Sequence, residues 1–195
     1  MKLNSNIQIM GRNIILVPYK ERHVPKYHNW MKSEELQKLT ASEPLTLEEE
    51  YKMQKSWQLD DDKCTFIILD KYALCEQNST EIDAMIGDTN IFITNKDKML
   101  GEIEIMIAEK TARGKKRGWE AVILMLLYGI HHIKINIFEA KIYIGNTVSI
   151  SLFEKLGFEE KTRSEIFQEI TLEKIVDEKW IKSLESNFLL EIQSY

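Results

Sequence analysis

Residues 101–133 read GEIEIMIAEKTARGKKRGWEAVILMLLYGIHHI, and the rest of the chain is best understood outward from them. Over 100–108 the side chains alternate. Ile103, Ile105 and Ile107 share one face and Glu102, Glu104 and Met106 the other, the two-residue period of a half-buried strand. The run Arg113-Gly114-Lys115-Lys116-Arg117-Gly118 then breaks the pattern with four cations and two glycines. From Trp119 to about Ile133 the period becomes helical: Val122, Leu126 and Ile133 fall near one stripe and Ile123, Leu127 and Ile130 on the next, so the helix is expected to be mostly buried. The unit is strand, basic loop, buried helix.

Upstream, residues 13–19 are predicted to form a strand, with Pro18 favouring a sheet edge or the strand end. A short helix is predicted over 24–32 and a loop over 39–45. Thr46 opens a further helix, because Glu49 three residues on completes a capping box; Tyr51, Met53 and Trp57 are predicted to face the core. Strands are predicted over 64–70 and 85–93, joined by a polar hairpin loop over 72–83, with a turn at 95–98. Downstream come a strand over 137–144, a short helix over 147–156, a last strand over 165–173 and an amphipathic helix within 177–192. The order predicts a mixed α/β layer around one central sheet, with a domain over 1–176 and a helical tail over 177–195.

Composition narrows the functional classes. With 195 residues the chain has one domain's worth of core. A net charge of −5 argues against general attraction to nucleic acid or anionic membrane. No stretch approaches the roughly 20 apolar residues that cross a bilayer, and the N-terminus leads into no apolar signal-peptide core. Cys64 and Cys75 are too few for a disulfide framework, and with the four histidines they form no metal motif; reduced, structural thiols in a cytoplasmic protein are expected. His131 and His132 close a helix, and His23 and His28 are expected to pack or lie at the surface.

The loop at 113–118 carries the chemistry. A helix N-terminus presents unpaired N–H groups and a positive dipole end, and small residues before it let a phosphate approach. Arg113, Lys115, Lys116 and Arg117 add charge, so an anion site is expected beyond the strand's C-terminal end, with pyrophosphate as its natural guest. An isolated basic run is commonly a solvated surface loop; the alternating strand before it, the buried helix after it and a second capped helix 28 residues on make the difference here. At that second helix Asn146 is a predicted N-cap and Gly157 the C-terminal stop.

Gly101 to Glu109 followed by Arg113 to Ala121 resembles the coenzyme-A-binding motif of the GCN5-related N-acetyltransferase (GNAT) superfamily. Asn146, Ser149 and Leu156-Gly157-Phe158 resemble its C-terminal motif. The pattern is similar to the branch that includes the ribosomal-protein N-terminal acetyltransferases. Val17-Pro18-Tyr19, His28 to Leu36, Leu39 to Thr46, Asp62 to Ile67 and Phe167-Gln168-Glu169 resemble the eukaryotic N-acetyltransferase 9 group, a likeness covering roughly residues 1–175. The resemblance implies a single GNAT domain with a mixed, mostly antiparallel sheet flanked by helices. It also implies acetyl-CoA as cofactor, bound by Met106, Ile107, Ala108, residues Arg113, Gly114, Lys115, Lys116, Arg117 and Gly118, and by Asn146, Ser149 and Phe153. The group is associated with acetylating the N-termini of α- and β-tubulin, which implies protein N-termini, tubulin among them, as partners. Two positions depart from the superfamily. Lys116 stands where a loop glycine is usual, which costs about 1 kcal/mol if φ is positive there but adds a cation. Phe153 stands where many relatives carry a Tyr general acid.

The attacking amine must be neutral. A protein α-amine, with a pKa of about 8, needs less help than a lysine at about 10.4. Glu102 or Glu104 is expected to take the proton, directly or through a water. A backbone N–H near Met106 or Ile107 is expected to meet the oxyanion, Tyr143 is a candidate acid, and Glu43 is expected to meet the substrate's positive N-terminus. The alternatives are a non-catalytic adaptor of the same fold that binds microtubules and, with little support, a nucleic-acid module using 113–117.

Overall fold

The computed structural model describes residues 2–195, which form a nine-stranded sheet with helices on both faces. The chain enters through strands β1 (Ile7–Met10) and β2 (Ile14–Pro18), then helices α1 (Val24–Met31), α2 (Glu34–Leu39) and α3 (Leu47–Leu59). Next come β3 (Lys63–Asp70), the short helices α4 (Lys71–Leu74) and α5 (Glu81–Ala84), β4 (Met85–Asn95) and β5 (Leu100–Ile107). Helix α6 (Arg117–Tyr128) ends in a π-helical turn over Gly129–Ile133. Then follow β6 (Ile137–Tyr143), α7 (Thr147–Lys155), β7 (Glu159–Ser164), β8 (Glu169–Ile175), α8 (Glu178–Asn187) and β9 (Glu191–Ser194).

The sheet order is β7-β8-β6-β5-β4-β3-β2-β1-β9. Neighbours are antiparallel except β5 and β6, which run parallel across the α6 crossover. The expected mixed, mostly antiparallel sheet is therefore present.

Strand alternation sorts the core onto two faces. Ile14, Leu16, Phe66 and Ile68 pack with α6, in which every residue from Glu120 to Tyr128 is buried. Ile15, Val17, Ile67 and Leu69 pack with Val24, Tyr27, Trp30 and Met31 of α1. Tyr51, Met53 and Trp57 of α3 lie against this second cluster, as expected, and Glu49 and Thr46 form the expected capping box. Pro18 is at the end of β2.

Several expectations shift. The single strand expected over 165–173 is a hairpin, with Ile166 and Phe167 90% and 81% exposed between β7 and β8. Alternation there was real, but it spanned a turn. The loop expected over 72–83 contains α4 and α5, capped by Asp70 and Thr80. The helix expected up to 192 stops at Asn187, and residues 191–194 pair with β1 instead. Trp180 of α8 is buried against Phe138 and Phe158 and donates from Nε1 to the Leu156 carbonyl at 2.7 Å, so this segment is docked on the core. Cys64 is buried, and burial pushes its thiol up to about 12; Cys75 is exposed.

Candidate active site

The β5–β6 ladder closes only at Leu100↔Ile137, Gly101↔Phe138 and Glu102↔Glu139. Beyond Glu102 the two strands diverge, because β6 follows β8 while β5 stays with β4. A cavity of about 510 Å³ occupies this region, with Glu102 to Met106 of β5, Tyr143 of β6, Asn146, Ser149 and Phe153 of the α7 segment, and residues 39–42 among its walls. Seven of the sequence-predicted site residues thus share one cavity: Glu102, Glu104, Met106, Tyr143, Asn146, Ser149 and Phe153. Glu43 is exposed and adjoins the wall segment 39–42 without lining the cavity.

The open edge of β5 has a definite polarity. The Glu104 carbonyl is turned toward β4, where the Thr89 hydroxyl donates to it at 2.8 Å. The Met106 carbonyl lies over Gly87, where a Cβ would stand 1.9 Å from it, so only glycine fits there. Amides alternate along a strand. Ile105 and Ile107 therefore present their backbone groups to the gap, and the Ile107 carbonyl accepts Arg113 Nε at 2.9 Å.

Past β5 the chain curls through two left-handed residues, Gly114 (φ 73) and Lys116 (φ 60), before α6 begins. The first bond closing α6 runs from Glu120 N–H to the Lys116 carbonyl at 3.1 Å, so the amides before it stand at an open helix N-terminus. A Cβ at Gly114 would meet nothing within 4 Å, and Lys115 and Lys116 are exposed. Arg113 and Arg117 are employed differently. Arg113 Nη1 pairs with Glu35 at 2.6 Å. Arg117 Nε pairs with Asp70 at 2.9 Å and its guanidinium lies over the Tyr72 ring. Asp70 is desolvated, yet the bonds from Arg117 and Tyr72 N–H hold its carboxyl below the usual range. The two arginines fasten the loop to the sheet; the two lysines are left at the surface. An open helix N-terminus flanked by cations, with a bared strand edge beside it, fits the diphosphate and pantetheine arm of an acyl-CoA.

The carboxylates differ in setting. Glu102 Oε2 is held by Lys141 Nζ at 2.6 Å. Glu104 is pushed above the usual carboxylate range, first by desolvation and also by the Glu102 charge, against the pull of Lys63, Lys141 and a hydrogen bond from Asn90. Tyr143 sits under Lys38 Nζ, 4.9 Å from the ring centroid. Asn146 caps α7 as expected, accepting from Ser149 N–H at 3.2 Å, and Gly157 (φ 87) terminates it. Phe153 is buried edge-on to Phe158 and contributes an apolar wall.

Composition and spacing missed Asp88, Asn90, Lys63 and Tyr27, which also line the cavity. The signal was present in β4: Asp88 and Asn90 stand in the buried part of the strand, where such residues are disfavoured. Elsewhere, His23 is fully buried against Glu81 at 2.6 Å and has a packing role. No group of three His, Cys, Asp or Glu among the described residues could hold a metal ion, and no helix there is long and apolar enough to cross a membrane.

A sheet opened beside a crossover helix, with an anion cradle at that helix's N-terminus, defines a class, and residues 13–159 match the acetyltransferase (GNAT) domain family. The chain belongs to that family; it is an N-acetyltransferase, with acetyl-CoA as its acetyl donor. The chain is 53% identical over 198 residues to the Homo sapiens alpha/beta-tubulin-N-acetyltransferase 9, covering 100% of this chain and 93% of that one. It is 49% identical to the Drosophila melanogaster protein of the same name, with both chains fully covered. The fold is similar to spermidine N-acetyltransferase from Vibrio cholerae, solved in complex with CoA and spermine: TM-score 0.70, 14% identity, 87% of this chain and 98% of that one. The non-catalytic alternative is not favoured by this membership.

Proposed function

We propose that this N-acetyltransferase acts on the α-amines of protein N-termini, with tubulin N-termini as the substrates to test first. The observation that carries the reading is the cavity at the β5–β6 divergence, which Glu104 of β5 lines together with the rim segment 39–42. The names of the relatives support the tubulin part.

Acetyl-CoA supplies the acetyl group as a thioester, whose carbonyl carbon takes the amine nitrogen while the sulfur leaves with a proton. Lys115 and Lys116, with the amides opening α6, hold the diphosphate; Arg113 and Arg117 keep that loop in shape; Ala108, Asn146, Ser149 and Phe153 bound the cofactor arm. Ile107 N–H, on the open edge, is the oxyanion donor; Met106 has its amide toward β4 and forms wall instead. Glu104 faces the incoming amine. Glu102, with its charge held by Lys141, keeps the rim in place. Tyr143 hands a proton to the departing sulfur, and Glu43 meets a basic residue outside the cavity. The 1–176 segment is the catalytic domain and 177–195 its docked C-terminal segment, in a cytoplasmic enzyme.

The test is intact-mass measurement of peptides bearing tubulin N-termini, other N-termini, and the same peptides with blocked α-amines, incubated with enzyme and labelled cofactor. Acetylation that vanishes on blocking the α-amine supports the reading; modification of internal lysines instead would overturn it.

A further inference from the structure

The cavity contains a further carboxylate, Asp88, besides those of Glu102, Glu104 and Glu169. Asp88 on β4 stands opposite Met106, and Asn90, two residues on, stands opposite Glu104, so all four share one face of the sheet. The Asn90 amide stands beside both acids. Its Oδ1 accepts from the Thr65 hydroxyl, which fixes the orientation of the amide. Its Nδ2 donates to Asp88 Oδ2 at 2.8 Å, and the amide sits beside Glu104, whose carboxyl it pulls down. Asp88 is only 3% exposed, and its Oδ1, on a residue of the cavity wall, is buried without a hydrogen-bond partner among the described residues. Leaving a buried carboxylate oxygen unmatched is costly and calls for a partner.

The geometry points to Asp88 as the residue that receives the substrate's proton: a primary ammonium entering the cavity meets Glu104 first and passes one proton to Asp88 Oδ1. This rests on the reading that an amine substrate occupies this cavity. The balance is simple. One N–H bond of the ammonium breaks and one O–H bond forms on Asp88, leaving a neutral amine with its lone pair free and a neutral carboxylic acid. Asp88 returns the proton to solvent after turnover.

The surroundings suit that role. Desolvation first, then the Glu104 charge, raise the Asp88 carboxyl to about 7, against the Asn90 bond and Lys63 on β3. Tyr27 on α1 and Tyr19 after β2 face the same carboxylate, with Glu50 of α3 behind them, and all three are uncharged or acidic. Only the Asn90 bond and Lys63 therefore support the ionised form. A group at about 7 exchanges a proton readily with an α-amine of about 8. Glu104, nearer solvent and faced by Lys63 and Lys141, positions the ammonium.

The test compares wild type with Asp88→Asn, which preserves shape. For a free-amine peptide that wild type acetylates, the acid limb of kcat/KM should have its midpoint near pH 7. In Asp88→Asn the midpoint should rise by about one unit, to that of the peptide amine itself, and kcat/KM should fall roughly tenfold below neutrality, with the gap narrowing at high pH. A merely structural role would leave a pH-independent loss. A midpoint that does not move overturns the assignment. CoA affinity, read by calorimetry, should stay within about twofold; a tenfold loss would mean that the substitution disturbs the cofactor site, and also overturns it. Carboxyl-carbon NMR titration of the wild-type chain reads Asp88 without turnover: a midpoint at about 4 overturns the proposal. Wild-type chain that acetylates no amine at any pH fails the functional reading itself, a result distinct from either Asp88 outcome.

Discussion

Arg113 donates from Nε to the carbonyl of Ile107, 2.9 Å away, and so ties the phosphate-facing loop to the strand whose open edge it follows. With Nη1 on Glu35, the guanidinium is committed to the protein. Arg113→Ala should therefore weaken CoA binding by loosening the loop, by roughly tenfold, while costing about 1–2 kcal/mol of stability through the carbonyl left bare. Glu35→Gln, which removes only the exposed half of the arrangement, should change affinity less than about threefold. Calorimetry with CoA and thermal melts check both.

Lys116 occupies the left-handed region at φ 60 with a side chain that resists it. Lys116→Gly should stabilise the chain by about 1 kcal/mol, raising Tm by about 2–4 °C. It should nevertheless weaken CoA severalfold, because a cation is lost beside the helix N-terminus. Melting and calorimetry should move in opposite directions. If both fall, the lysine is a packing residue.

Glu102 and Glu104 are two residues apart on one face; Glu102 is held by Lys141 at 2.6 Å, while Glu104 is more desolvated and faced by Lys63 and Lys141. Glu102→Gln should lower kcat/KM only a fewfold, and Lys141→Ala should mimic it. Glu104→Gln should lower kcat/KM by about tenfold or more, chiefly through KM for the amine, since a charge facing the ammonium is lost. Steady-state kinetics with a free-amine peptide separates them.

Asp88 also affects stability. Its folded-state pKa of about 7 lies above the ordinary 3.8, so between those values the native chain binds more protons than the unfolded one. Stability contributed by this site therefore falls as pH rises from about 4 to about 7 and then levels. Asp88→Asn should be the more stable chain at pH 8, by at most about 4 kcal/mol, and the difference should vanish near about pH 4. Denaturant melts across that range give the sign directly.

Trp180 joins α8 to the main core through two aromatic neighbours and the Leu156 carbonyl. Trp180→Ala should cost about 3–5 kcal/mol. Because Leu156 ends the helix bounding the cofactor side, CoA affinity should fall with it. A stable variant with native affinity would make the segment beyond 177 an accessory.

Much of the fold was legible because its cues are local. The Ile103-Ile105-Ile107 alternation, the Thr46–Glu49 capping box and the Asn146 cap each act within a few residues, and each is present. The turn at 165–168 and the strand at 191–194 were misread for the opposite reason. Alternation does not reveal a reversal, and whether residues 191–194 extend a helix or pair depends on β1, more than 180 residues away in sequence.

The sequence alone determined that this chain builds a strand, a basic turn and a buried helix, and hence a site for a phosphorylated cofactor, because periodicity and charge at that junction are properties of adjacent residues. Tertiary structure decided which cations remain at the surface, which carboxylate Lys141 holds, and that Asp88 and Glu104 lie beside one amide. Those outcomes depend on desolvation and on partners from β3, β4 and β6, and neither is defined until the sheet has closed around them.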